Sequence, residues 1–95
     1  MAEVSIQKTE AYMRSVKKIT EPAKGYITEA IEDLADGKSG KRKGVGKVSE
    51  LKIHYGPGYR VYYVWRGDTL ILLLCGDKSS QKRDIVRARK LAEEL

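Results

Sequence analysis

ELKIHYGPGYRVYYVWRGDTLILLLCGDK, residues 50–78, reads as three consecutive β-strands joined by two tight connections. In the first run Leu51, Ile53 and Tyr55 alternate with Glu50, Lys52 and His54, the period-2 pattern of a strand buried on one face. Gly56-Pro57-Gly58 ends it, because Pro57 has no backbone donor and the flanking glycines tolerate positive φ. Residues 59–65 then put Tyr59, Val61, Tyr63 and Trp65 on one face and Arg60, Tyr62 and Val64 on the other. Arg66-Gly67-Asp68-Thr69 supplies hairpin chemistry. Residues 70–75 are apolar without alternation, as expected of a strand covered on both faces.

Working outward, Gly76-Asp77-Lys78-Ser79-Ser80 reads as a turn whose serines cap a last helix. That helix is expected to bury Ile85, Ala88, Leu91, Ala92 and Leu95, leaving Arg83, Arg87 and Lys90 opposite, with Lys82 and Arg89 flanking. Upstream, residues 38–47, KSGKRKGVGK, form a glycine-bearing basic loop with no acid. Before it, Ala23, Ile27, Ala30, Ile31 and Leu34 make an amphipathic stripe that Pro22 opens and Gly37 closes. Thr9 is placed to cap an earlier helix carrying Tyr12, Val16 and Ile19, and Val4-Ser5-Ile6 suggests an edge strand. The expected architecture is α+β: an antiparallel pair of N-terminal helices on a small, mainly antiparallel sheet, plus a C-terminal helix, one domain over residues 1–95.

The chain of 95 residues carries 19 Lys and Arg against 13 Asp and Glu, a net charge of +6 that favours an anionic partner. Nucleic acid ranks ahead of a membrane, since the longest apolar run is six residues and no strongly apolar amphipathic helix is evident. No basic-then-apolar leader opens the chain, so a cytoplasmic setting is expected. Cys75 lies inside an apolar strand, as a small core residue would. One cysteine and one histidine cannot make a zinc site, and no cofactor is expected.

The glycines of the basic loop are not spaced as a P-loop. Lys38, Lys41, Arg42, Lys43 and Lys47 instead suit a cationic arm that follows a phosphate backbone. Tyr62 is a candidate for stacking a splayed base, and Lys82 and Arg83 for lining a nucleic-acid groove, although a tyrosine on a strand more often packs and a basic helix face is more often merely solvated. No nucleophile triad, metal-ligand cluster, dinucleotide fingerprint or carboxylate pair is present. What remains for chemistry is Lys52, His54, Arg60 and Lys78.

Placed together on one sheet surface with Tyr62, these groups suit metal-independent phosphodiester cleavage. Arginine bridges two phosphate oxygens, lysine adds a point charge, and histidine exchanges protons near neutral pH. Lone strand histidines and lysines are, on the other hand, commonly structural. Arg60 interrupts an apolar strand and needs a partner there, either substrate oxygens or an acid such as Glu50.

The run VSELKIHYGPGYRVYYVWRGDTLILLLCGDKSSQKRDIVRA closely resembles the phage-derived host-inhibition and addiction-module killer proteins of the RelE/HigB toxin superfamily. ELKIHYGPGYRVYY and LLLCGDKSSQKRDI are its most specific parts, and the likeness extends over essentially the whole chain. The resemblance implies the same two-helix, sheet and C-terminal-helix fold. It implies a toxin that inhibits translation as an endoribonuclease on ribosome-bound mRNA, neutralised by a cognate antitoxin, here expected to be a helix-turn-helix protein. By position it implies a catalytic role for Arg60 in GYRVYY and for Lys78 in GDK, with Lys52 at the basic strand position and His54 peculiar to this subfamily. Two departures stand out: only Gly76 precedes the aspartate where the subfamily has two glycines, and Ile85-Val86 occupy the place of a tyrosine in the last helix. A basic RNA- or ribosome-binding module that does not cut, and a decayed toxin that keeps only antitoxin binding, are the alternatives.

Overall fold

A computed structural model describes residues 3–37 and 47–95. Among them the elements run β1 (Ser5–Lys8), α1 (Glu10–Val16), α2 (Ala23–Ala35), β2 (Ser49–Ile53), β3 (Tyr59–Arg66), β4 (Thr69–Asp77), a 3-10 turn (Lys78–Ser80) and α3 (Gln81–Glu93). The sheet order is β1-β4-β3-β2; β2, β3 and β4 form the expected antiparallel meander, and β1 joins parallel to β4. This is the α+β architecture with a C-terminal helix.

Each sheet face has its own core. On one side Tyr12 of α1 and Ile27, Ile31 and Leu34 of α2 pack on Ile53, Val61, Trp65, Leu70, Leu72 and Cys75. On the other Ala88 and Ala92 of α3 pack on Tyr62, Val64, Ile71, Leu73 and Leu74. β4 is thus covered on both faces, and a register shift explains the rest of its missing alternation. Tyr62 pairs with Leu74 and Tyr63 with Leu72, so Leu73 is the extra residue of a bulge and lies on the same face as Leu74. Leu70, Leu72 and Leu73 are fully buried, each stabilising the fold by roughly 1.5–3 kcal/mol.

Polar side chains fix the joints. Thr9 caps α1 by accepting from the Tyr12 N–H at 3.1 Å, and its hydroxyl donates to the Leu72 carbonyl at 2.8 Å, pinning the helix to β4. β1 pairs with β4 only as far as Leu72; beyond it, Ser15 Oγ accepts the Cys75 N–H at 2.9 Å. The β3–β4 hairpin turns on Gly67 (φ 59°) and Asp68, with positive φ at the first position only, as in a type II′ turn.

Two expectations are corrected at the last helix. The capping side chain is Asp77, whose carboxylate accepts from the Ser79 N–H at 2.8 Å; Ser80 stands at the start of α3 without a side-chain cap and bonds Asp84 instead. Leu95 lies beyond the end of α3 and is 47% exposed, while Asp84 is buried on the inner face beside Ala88 and Ala92.

Candidate functional site

Arg60 is the second residue of β3, directly opposite Lys52 on β2 and Gly76 on β4. It is 9% exposed, on the sheet face that α3 covers. Its Nε lies 2.8 Å from Glu50 Oε1, an ion pair without the alignment of a directed hydrogen bond, and its Nη1 donates to the Gly58 carbonyl at 2.8 Å. Glu50 also accepts from Gln81 Nε2 at 2.8 Å, which ties β2 and β3 to the first turn of α3. Of the two environments open to Arg60 from sequence, pairing with Glu50 is the one found.

Gly58 joins Arg60 to Lys78. A Cβ at Gly58 would stand 3.3 Å from Arg60 Nη1 and 3.7 Å from Lys78 Cβ, so the missing side chain lets the turn close between the two cations. Its φ of +79° makes glycine suitable there on backbone grounds as well. Lys78 and Lys52 are exposed. Arg60, Lys52 and Lys78 therefore form a cationic corner at the end of the meander.

Two carboxylates besides Glu50, those of Asp84 and Asp77, stand near this corner. Asp84 reaches from α3 over Gly76, where a Cβ would sit 1.9 Å from its Oδ2; the bare backbone of Gly76 makes room for it. Ser80 Oγ donates to the same oxygen. Tyr62, opposite Glu50 on the ladder, is 1% exposed, and its hydroxyl is buried with no hydrogen-bond partner. Burial first, then Glu50 and Asp84, push the Tyr62 phenol up to about 12 against the opposing pull of Arg60. Asp77 is held below the usual carboxylate range, chiefly by the Ser79 hydroxyl, with Arg60 adding to the shift.

The expected convergence of Lys52, His54, Arg60 and Tyr62 is only partly met. Tyr62 offers no face to a base, because it fills the α3-side core with Val64 and Leu74. β2 ends at Ile53, and His54 lies past it in a groove along the β2 edge, lined also by Lys52, Tyr55 and, from α2, Tyr26, Glu29 and Asp33. α2 packs on the sheet face away from Arg60, so His54 belongs with a different set of neighbours. Tyr26 and Tyr55, both exposed, lie with ring centroids 4.6 Å apart in that groove, but Glu29 and Asp33 make it a poor seat for phosphate. Lys47, Lys82 and Arg83 are exposed; Lys38, Lys41, Arg42 and Lys43 lie outside the described residues.

Gly58, Gln81 and Asp84 were not expected in the site. Asp84 had a signal, since residues 84, 88 and 92 share one helical stripe and the first of them is charged. Among the described residues, no group of three or more His, Cys, Asp or Glu side chains is placed to hold a metal ion, and no helix is long and apolar enough to cross a membrane.

The class these features define is a small α+β domain with a cationic corner on a three-strand meander. Residues 8–93 match the family described as phage-derived protein Gp49-like, and the chain belongs to that toxin–antitoxin-related family. It is also similar to an uncharacterized protein of Haemophilus influenzae, 45% identical over 75 residues that cover 77% of this chain and 76% of the relative.

Proposed function

We propose that this chain is the toxin of a type II toxin–antitoxin pair, of the RelE/HigB kind, that cuts mRNA on the translating ribosome. The observation that carries the reading is the corner where Arg60 and Lys78 close on Gly58 with Lys52 across the ladder. In metal-independent cleavage the 2′-hydroxyl gives up its proton as its oxygen attacks the adjacent phosphorus, and the P–O5′ bond breaks with the leaving 5′-oxygen taking up a proton. Negative charge accumulates on the non-bridging oxygens, and fixed cations in a partly dry site stabilise it best. Arg60 is held rigidly for that task by Gly58 and Glu50, and Lys78 and Lys52 supply mobile charge from the rim. His54, in its separate groove, is not needed for this electrostatic role. Positioning of the 2′-oxygen falls to the ribosome, which makes naked RNA a poor substrate.

One observation favours a second reading, a basic module that blocks ribosomes without cutting: Arg60 is already engaged by Glu50. Inducing the protein and mapping RNA 5′ ends separates the two. New ends within translated transcripts, lost in Lys78→Ala, support the nuclease. Growth arrest with intact mRNA refutes it in favour of the blocking module. Growth without arrest refutes both and leaves the decayed toxin.

A further inference from the structure

β1 is bonded on one side only. The Ser5 N–H donates to the Asp68 carbonyl at 3.0 Å and the Thr9 N–H to the Leu72 carbonyl at 3.1 Å, so the backbone groups of Ser5, Gln7 and Thr9 face β4. Alternate residues of a strand turn the other way, which leaves the N–H and C=O groups of Val4, Ile6 and Lys8 pointing outward. Among the described residues no strand pairs with that outer edge, and Ser5 to Lys8 are all exposed, Ile6 by 42%. The side chains of Val4, Ile6 and Lys8 lie on the sheet face that α1 and α2 cover. There Val4 and Ile6 line a groove of about 660 Å³ whose charged groups are the carboxylates of Glu3, Glu32 and Asp36, with no base among them. Other grooves of the surface carry cations: Lys8, Lys17 and Lys24 between α1 and α2, Lys47, Arg66 and Arg89 where β2 begins, and Lys52 along the β2 edge.

We infer that β1 pairs with β1 of a second copy of this chain, antiparallel and centred on Ile6, joining two four-stranded sheets into one. The open backbone groups fix the parity of the register. Residues that exchange bonds across an antiparallel ladder both face outward, so Val4, Ile6 and Lys8 meet only Val4, Ile6 or Lys8 of the copy. Sliding the copies one way brings Glu10 and the first turn of α1 into the ladder. Sliding them the other way moves Lys8 past Val4 and out of reach of the acidic groove. Centring on Ile6 uses the whole stretch from Val4 to Lys8: Ile6 meets Ile6, Val4 meets Lys8, and about six backbone hydrogen bonds form.

Side chains opposite one another across a ladder share a face. Each Lys8 ammonium is therefore carried beside Val4 of the copy, to the groove of Glu3, Glu32 and Asp36, and twofold symmetry makes the contact twice. A lysine on an edge strand repels most other edges; this edge alone brings it acids to meet. The net charge of +6 opposes association and the seam is short, which sets the dimer in the weak class. β1 pairs with the first half of β4, whereas the cationic corner lies at its other end, so the dimer leaves Arg60 and Lys78 uncovered. The inference stands apart from the toxin reading.

The test is sedimentation equilibrium of the full chain at concentrations from about 10 μM to about 1 mM, a range suited to a weak interface, with amide hydrogen exchange read at both ends. The chain is expected to dimerise reversibly, and the Ile6 and Lys8 amides to exchange more slowly as concentration rises. Ile6→Pro removes an outward N–H that no bond within the protomer uses, so it should abolish the dimer and leave the melting temperature close to that of the parent. Lys8→Glu, at an exposed position, should weaken association at least about tenfold, and adding Glu32→Lys should restore most of it, a rescue that general loss of stability would not give. A chain that stays monomeric at about 1 mM overturns the inference. A dimer indifferent to both Ile6→Pro and Lys8→Glu uses another surface and overturns it too, as does a charge swap that restores nothing. A monomer whose Ile6 and Lys8 amides become protected only on adding an extended lysine–valine peptide assigns the edge to another protein's strand, against the proposal.

Discussion

Replacing Arg60 by alanine separates a structural arginine from a catalytic one, provided that folding is measured first. The Arg60 side chain is 11% exposed and that of Glu50 23%, so the variant strands a largely desolvated carboxylate. Breaking such a pair by removing one partner costs roughly 3–5 kcal/mol. Glu50 keeps the Gln81 amide and some solvent, which places the expected loss near the lower end, about 3 kcal/mol. For a domain of this size each kcal/mol moves Tm by about 4–8 °C, so Arg60→Ala should melt at least about 12 °C early. Arg60→Met with Glu50→Leu, which removes both charges and keeps apolar bulk, should recover most of that loss. Thermal melts followed by circular dichroism read both numbers. An Arg60→Ala protein that melts with the parent refutes the claim that the pair is buried and coupled. Because loss of toxicity in that variant is confounded by unfolding, exposed Lys78 is the cleaner probe of chemistry. Lys78→Ala should melt normally and lose about a hundred- to a thousandfold in cleavage rate on ribosomes, the usual loss for one electrostatic contact to the transition state.

Gly76→Ala should destabilise by about 1–3 kcal/mol in urea titrations, because its Cβ would collide with Asp84 Oδ2 at 1.9 Å, and Asp84→Ala should relieve the clash, giving a favourable coupling in the double-mutant cycle. Asp77→Ala should remove about 1 kcal/mol of cap; since the native Asp77 pKa is depressed, the carboxylate's contribution is present above its unfolded value near pH 4 and is lost as pH falls through the lower native value, so parent and variant should converge in acid melts. Burial pushes the Cys75 thiol up to about 12, so it should resist alkylating reagents in the native protein at neutral pH and react only on unfolding; a stoichiometric reaction under native conditions contradicts the fold. Glu50→Gln keeps the shape and an acceptor for Arg60 but drops the charge, so the Tyr62 phenol should ionise at lower pH in an absorbance titration and ribosome binding should hold or tighten; weaker binding at unchanged Tm shows that the carboxylate itself is required.

The meander, the two N-terminal helices and the last helix were legible because each follows from local periodicity and turn chemistry. Alternation places Val61, Tyr63 and Trp65 against α1 and α2, and the Gly67-Asp68 turn sets the hairpin. What escaped was long-range. Nothing local says that Asp84 leans over Gly76; what decides it is the absence of a Cβ on the residue that β4 places opposite Arg60. Tyr62 was ambiguous for the same reason: strand alternation assigns it to a face, and only the docking of α3 shows that this face is core. His54 continues the β2 alternation in sequence, yet the strand stops at Ile53 and the histidine passes to the edge groove instead.

The burial of Arg60 against Glu50 bears on how a basic corner can remain specific. An exposed arginine beside Lys52 and Lys78 would take up any anion, and its long side chain would have to be ordered anew at each encounter. Here Glu50 and the Gly58 carbonyl hold the guanidinium in one orientation, so the ordering cost is met during folding rather than on binding. A phosphate must then bring enough positioning energy of its own to share or displace a carboxylate that Gln81 also holds. Free RNA in solution supplies little of that; a strand threaded through a ribosome supplies much more, since its backbone is already fixed when the corner meets it. Under the proposed nuclease function, the same ion pair that looks like an obstacle to catalysis would confine it to an ordered substrate.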